Sequence, residues 1–213
     1  MEQDIDLDWP NLKKYSRENE ALGLPGPNDR RVVFMGDSIT EEWSNLYPTY
    51  FGDRSYINRG IGGQTTPQML IRFKPDVVGL RPFVVVILAG TNDIAGNTGP
   101  ANVNMITDNI FSMSEISRSN GIKVVLSSIL PVYEYEWAKE IMDPPSTIAS
   151  VNTKLKEYVT LQDLEYLDYH SEMVDERDGL MKEYSSDGVH PNEKGYEVMS
   201  ALAEKMLSGI LSQ

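Results

Sequence analysis

An α/β fold is predicted by three observations on this sequence. Strand-like apolar runs recur along it, helical patterns separate them, and the residues able to do chemistry follow the strands. Such alternation implies a parallel sheet of about five strands with helices on both faces. The 213 residues suit a single domain with a full core.

Residues 1–30 hold no strand-like run. Trp9-Pro10 and Leu24-Pro25-Gly26-Pro27 read as turns, and residues 11–21 suit one short helix. An N-terminal extension over residues 1–30, packed on the outside of a domain formed by residues 31–213, is expected. Residues 31–35 are the first strand, followed by a helix from about 39 to 43. Residues 54–57 form a short second strand, and residues 66–73 a helix. Residues 83–88 are apolar throughout, as expected of a strand covered on both faces. Residues 100–120 place Ile106, Ile110, Met113 and Ile116 on one helical face, with Gly121 as the stop. A fourth strand at 123–127, a helix at 147–160, a weak fifth strand at 165–167 and a closing helix at 193–211 complete the pattern.

Composition narrows the function. A net charge of −13 argues against nucleic acid, which needs clustered Lys and Arg, and disfavours anionic membranes. No apolar run is long enough for a transmembrane helix, so membrane insertion is not expected. The absence of cysteine excludes disulfides and thiolate chemistry and leaves the compartment open. Residues 1–6 are acidic and do not read as a signal peptide; a signal cleaved upstream is compatible with that. Oligomeric state is not encoded in any visible pattern.

Four short blocks carry the chemistry. Gly36-Asp37-Ser38 places a serine at a strand-to-helix turn, where free helix N–H groups can face a developing oxyanion. Taken alone, Ser38 is equally well a helix N-cap. Gly62-Gly63 and Gly90-Thr91-Asn92-Asp93 offer two oxyanion donors, the Gly63 N–H and the Asn92 amide; each block could also be a plain turn. Asp187-Gly188-Val189-His190-Pro191 sets a carboxylate three residues from an imidazole, so one ring nitrogen can be held while the other takes the serine proton. The rival among the two histidines, His170, lacks the flanking Gly and Pro and reads as a surface or packing residue. Asp37, Asp93 and Asn58 read as loop braces. Two histidines are too few for a bimetal site, so a metal-dependent phosphoesterase is not expected and no metal ligand is assigned.

In this order the blocks resemble those of the SGNH (GDSL-type) hydrolase superfamily over nearly the whole chain after residue 30. The segment around Ser38 is similar to the family's first block, Asn58-Arg59-Gly60-Ile61-Gly62-Gly63 to its second, Gly90-Thr91-Asn92-Asp93 to its third and Asp187 to Pro191 to its fifth. The resemblance implies a flavodoxin-like three-layer α/β/α fold and no cofactor. It also implies a Ser38–His190–Asp187 triad, with the Ser38 N–H, the Gly63 N–H and the Asn92 side chain as oxyanion donors.

Within the superfamily the first two blocks look closest to platelet-activating-factor acetylhydrolase-like esterases and carbohydrate O-acetyl esterases, which implies acetyl esters. Trp43, Tyr133, Tyr135 and Trp137 can form a platform for sugar rings, or simply pack their loop. The alternative on the same scaffold is a lysophospholipase or acyl-thioesterase, whose acyl groove could draw on Met69, Leu70, Ile141 and Met142.

Overall fold

The computed structural model describes residues 8–52 and 54–212; residues 1–6, read above for a signal, lie outside that set. Five strands, β1 (Val32–Gly36), β2 (Tyr56–Gly60), β3 (Val84–Ile87), β4 (Lys123–Ser127) and β5 (Glu165–Leu167), form one sheet in the order β2-β1-β3-β4-β5. Every pairing is parallel, with Val32 opposite Tyr56 and Val84, and Val84 opposite Lys123. The chain therefore steps outward from β1 to β2 and returns to add β3 on the other side. That reversal opens a crevice beyond the carboxyl ends of β1 and β3.

Alternating side chains explain why the strands are apolar on both faces. Val33, Met35, Val85, Ile87, Val124 and Leu126 pack on one side with α4 (Thr66–Asp76), α6 (Val103–Ser119) and α7 (Pro144–Gln162). Val32, Phe34, Val84, Val86 and Val125 pack on the other with α2 (Ser38–Leu46) and α9 (Glu193–Leu211). The result is a three-layer α/β/α domain.

The expected helices are present with shifted ends, and α1 (Ser16–Leu22) starts five residues later than the pattern at 11–21 suggests. β2 likewise runs to Gly60 rather than ending at 57. Asn58 reads as a loop brace, but it and Arg59 lie in this edge strand, and their side chains leave the sheet for specific partners. Asn58 donates to Ser44 Oγ and accepts from the Gly60 N–H at 2.8 Å, while Arg59 donates to Asn19 Oδ1 at 2.8 Å. The short helices α3 (Thr49–Gly52), α5 (Thr91–Ile94) and α8 (His170–Met173) are too brief for a period to reveal.

Residues 8–22 lie against the loop after β2. Gln64 Nε2 donates to Pro10 O at 2.7 Å and Gln68 Nε2 to Trp9 O at 2.8 Å. The Tyr15 hydroxyl donates to Gly60 O, and Lys14 pairs with Glu41. No helix among the described residues is long and apolar enough to cross a membrane.

Candidate active site

Ser38 is the first residue of α2, not its cap. The cap is Asp37, whose Oδ1 accepts the Ile39 N–H at 2.9 Å. This frees the Ser38 hydroxyl from capping and leaves it at the helix N-terminus, half-buried at the end of β1. The helix is pinned from α9: the Tyr196 hydroxyl donates to Ile39 O at 2.8 Å, and Trp43 Nε1 donates to Ser200 Oγ at 3.0 Å. α2 also approaches β2 so closely that a Cβ on Gly60 would collide with the backbone of Thr40 and Glu41.

From the far end of the chain, His190 Nε2 comes to 2.9 Å from Ser38 Oγ, and His190 Nδ1 lies 2.7 Å from Asp187 Oδ2. A proton on Nδ1 would be directed at the carboxylate and would leave Nε2 as an acceptor facing the Ser38 hydroxyl. Asp187 Oδ1 accepts the N–H groups of Val189 at 2.9 Å and His190 at 2.8 Å. Partial burial acts to raise the Asp187 carboxyl, but the His190 N–H, the His190 ring and the Val189 N–H outweigh it and hold it at about 2. It is therefore an anion at any pH where an imidazole is a base.

Ser185 completes this turn, and the sequence reading missed it. Its hydroxyl donates to His190 O at 2.7 Å and accepts from the Gly188 N–H at 2.9 Å. A serine two residues before an Asp-Gly turn is a local hydrogen-bonding pattern that could have flagged it.

The two other blocks close over the same crevice. Gly63 has φ +73°, a backbone conformation that favours glycine. The preceding N–H, that of Gly62, is occupied by Glu41 Oε2 at 2.6 Å. The Asn92 amide donates one hydrogen to Gln64 O at 3.1 Å, and its second hydrogen remains for a ligand. Asp93 lies beneath, accepting from the Thr66 N–H at 2.9 Å and the Thr66 hydroxyl at 2.6 Å. Burial pushes the Asp93 carboxyl up to about 6 against those bonds, and pushes Asp37 up to about 7 against its bond to Ile39 and the nearby His190.

The aromatic residues divide. Trp43 is 1% exposed and stacks between Tyr50 and Tyr196, and Tyr135 is fully buried with its hydroxyl 2.8 Å from Thr91 Oγ1. Neither can line a sugar platform: both are core residues, placed there because an indole or phenol buries well once its polar tip has a partner. Tyr133 and Trp137 are half-exposed, and the Trp137 ring lies 6.3 Å from that of His190. The long-chain groove also loses its lining. Met69 is fully buried, Leu70 and Ile141 pack on the core, and Met142 projects outward, 82% exposed. His170 lies apart at the start of α8, its backbone N–H bonded to Ser128 Oγ at 2.8 Å. Among the described residues, no three His, Asp or Glu side chains cluster as metal ligands would.

The arrangement matches known proteins along most of its length. The model of the GDSL-like lipase/acylhydrolase family matches residues 34–198. The solved structure of a candidate acylhydrolase from Bacteroides fragilis NCTC 9343 is similar at 45% identity and a TM-score of 0.94, covering 95% of this chain and 98% of that one. A GDSL-like lipase from Bacteroides thetaiotaomicron VPI-5482 is similar at 44% identity and a TM-score of 0.92, covering 94% and 98%. The uncharacterized lipoprotein YqeF of Bacillus subtilis (strain 168) is 34% identical over 131 residues. That match covers 54% of each protein, so the chain spans about half the length of this curated relative.

Proposed function

The chain belongs to the GDSL-like lipase/acylhydrolase family; from that premise we propose that it is a carboxylic ester hydrolase acting on a small-molecule ester, and specifically a serine esterase for acetyl and similarly short esters of carbohydrates. The observation that carries the catalytic reading is the unbroken line of contacts from Asp187 Oδ2 through His190 to Ser38 Oγ, with steps of 2.7 and 2.9 Å.

In this reading His190, oriented by Asp187, takes the Ser38 proton as Oγ attacks the ester carbonyl. The oxyanion forms against the Ser38 N–H, the Gly63 N–H and the Asn92 amide, in a setting where each fixed donor contributes about 3 kcal/mol to the transition state. The imidazolium then protonates the departing alcohol. Water, deprotonated by His190, attacks the acyl-enzyme, and its collapse releases the acid and returns the proton to Ser38.

Support for a short acyl group comes from the four apolar side chains considered for a long-chain groove, three of which are taken up in or against the core. Support for a polyhydroxylated alcohol comes from a cavity of about 430 Å³ bordering Asp187 and lined by Tyr133, Glu134, Glu136, Arg177 and Lys182. Carboxylates, cationic groups and an exposed ring are what a sugar uses for hydrogen bonds and stacking.

The test is hydrolysis of p-nitrophenyl esters from acetate to octanoate, with EDTA present, by wild type and Ser38→Ala, followed by acetylated sugars. Acetate should turn over fastest, and Ser38→Ala should lose about 10³-fold or more. Preference for octanoate would replace this reading with a lysophospholipase or thioesterase. Full activity in Ser38→Ala would remove the nucleophile.

A further inference from the structure

We propose that Asn97 is a positioning residue that sets the orientation of both side donors of the oxyanion hole; this rests on the reading of Asn92 and Gly63 as those donors. Asn97 stands five residues beyond Asn92, past the single turn of α5. Gly96, at φ +75°, reverses the chain so that the Asn97 N–H bonds back to Asn92 O at 3.0 Å. The side chain thus returns over the crevice. Its Nδ2 donates to Asn92 Oδ1 at 2.9 Å and to Gly63 O at 3.2 Å, using both amide hydrogens. Its Oδ1 accepts Trp137 Nε1 at 3.3 Å.

The first of these bonds decides which end of Asn92 faces the substrate. A carboxamide has nearly the same shape when flipped, but a flipped Asn92 would present oxygen to an oxyanion. Gln64 O demands a donor and Asn97 Nδ2 demands an acceptor, so together they select the flip that turns the free hydrogen to the crevice. The second bond acts on the backbone. The Gly63 N–H belongs to the peptide between Gly62 and Gly63. The peptide before it is anchored through the Gly62 N–H on Glu41, and the peptide after it through Gly63 O on Asn97. A glycine pair at which peptide planes turn over easily is thereby fixed from both sides. Asn97 is itself exposed, so it holds the donors without supporting the core.

The experiment compares Asn97→Ala, Asn97→Asp, Asn92→Ala and the double variant Asn92→Ala/Asn97→Asp, with kcat and KM on p-nitrophenyl acetate and Tm for each. Asn97→Asp replaces the donor with an acceptor of the same shape, which repels Gly63 O and favours the wrong flip of Asn92. It should lower kcat about 30-fold or more, and Asn97→Ala about tenfold, with KM within about twofold and Tm nearly unchanged. In the Asn92→Ala background the aspartate should cost less than about threefold, because its main target is gone. Asn97 variants with wild-type kcat beside a crippled Asn92→Ala would overturn the positioning role and leave the donor reading standing. Loss of kcat that tracks a fall in Tm, and adds fully to Asn92→Ala, would also overturn it. Wild-type kcat in Asn92→Ala would remove the donor reading and this inference with it.

Discussion

The crevice is built by two regions of opposite construction. On one side, the ends of β1, β2 and β3 carry Ser38, Gly63 and Asn92 in a buried frame tied by contacts across the whole chain. Arg72, fully buried, is typical of this frame. Its guanidinium bonds Asp76 Oδ2 at 3.0 Å, Gly36 O at 2.9 Å, Arg59 O at 2.8 Å and the Gln64 side chain. On the other side, Asp187 and the His190 backbone are held by bonds within residues 185–191, and the His190 ring leaves the turn to meet Ser38 Oγ at 2.9 Å. The proposed nucleophile and oxyanion donors thus sit on a frame that is part of the fold's stability, whereas the proposed acid–base pair is a local device attached to it. Damage to the first should cost folding and activity together, and damage to the second should cost activity far more than folding.

The sharpest separation is expected from Asp187→Asn. It keeps an acceptor for the Val189 and His190 N–H groups but loses the anion that selects the imidazole tautomer. kcat should fall about 10³–10⁴-fold, a far larger effect than the modest fall in thermal midpoint expected from losing the carboxylate's bonds. Unchanged kcat would take Asp187 out of the mechanism.

Arg72→Met is the converse test. It removes the ion-pair partner of buried Asp76 and one donor each from Gly36 O and Arg59 O, so urea unfolding should show a loss of about 3–5 kcal/mol. Activity of the remaining folded protein should fall as well, because Gln64 loses an anchor beside the oxyanion loop. Lost stability with wild-type kcat would break the claimed coupling. Ser185→Ala should do less: about tenfold in kcat and about 1 kcal/mol in stability, since one hydroxyl in a local turn is removed.

The same contrast explains what the sequence made legible. The meeting of Asp187 and His190 was readable because the partners lie within five residues, where spacing and a Gly-Pro setting carry the information. The placement of Ser38, Gly63 and Asn92 at one end of the sheet was readable because each follows a strand. Residues whose role depends on a contact between distant loops were not. Asn97 bonds Asn92 five residues away, but nothing in that spacing marks it out; its place over the crevice is set with Gly63 and Trp137, 34 and 40 residues away. Trp43 and Tyr135 erred in the other direction, since position after a strand says nothing about which way a ring points.

The smallest effect, and the most direct reading of the buried region, concerns pH. Burial raises the Asp37 carboxyl to about 7 and Asp93 to about 6, each from an ordinary value near 4. Between pH 4 and their raised values these groups hold protons in the folded state that they have lost in the unfolded one. Their contribution to stability is therefore greatest near pH 4 and declines as pH rises, levelling off above about 7. Asp187 works in the opposite sense, its contribution present above about 4 and lost as pH falls toward 2. Asp37→Asn retains an oxygen for the Ile39 N–H while removing the titration. The fall in thermal midpoint between pH 4.5 and 8 should be smaller in this variant than in wild type, with the residual slope confined below about pH 6, where Asp93 still titrates. Identical slopes in the two proteins would mean that Asp37 is ionised in its buried site throughout that range, held there by its bond to the Ile39 N–H and by the helix N-terminus it caps.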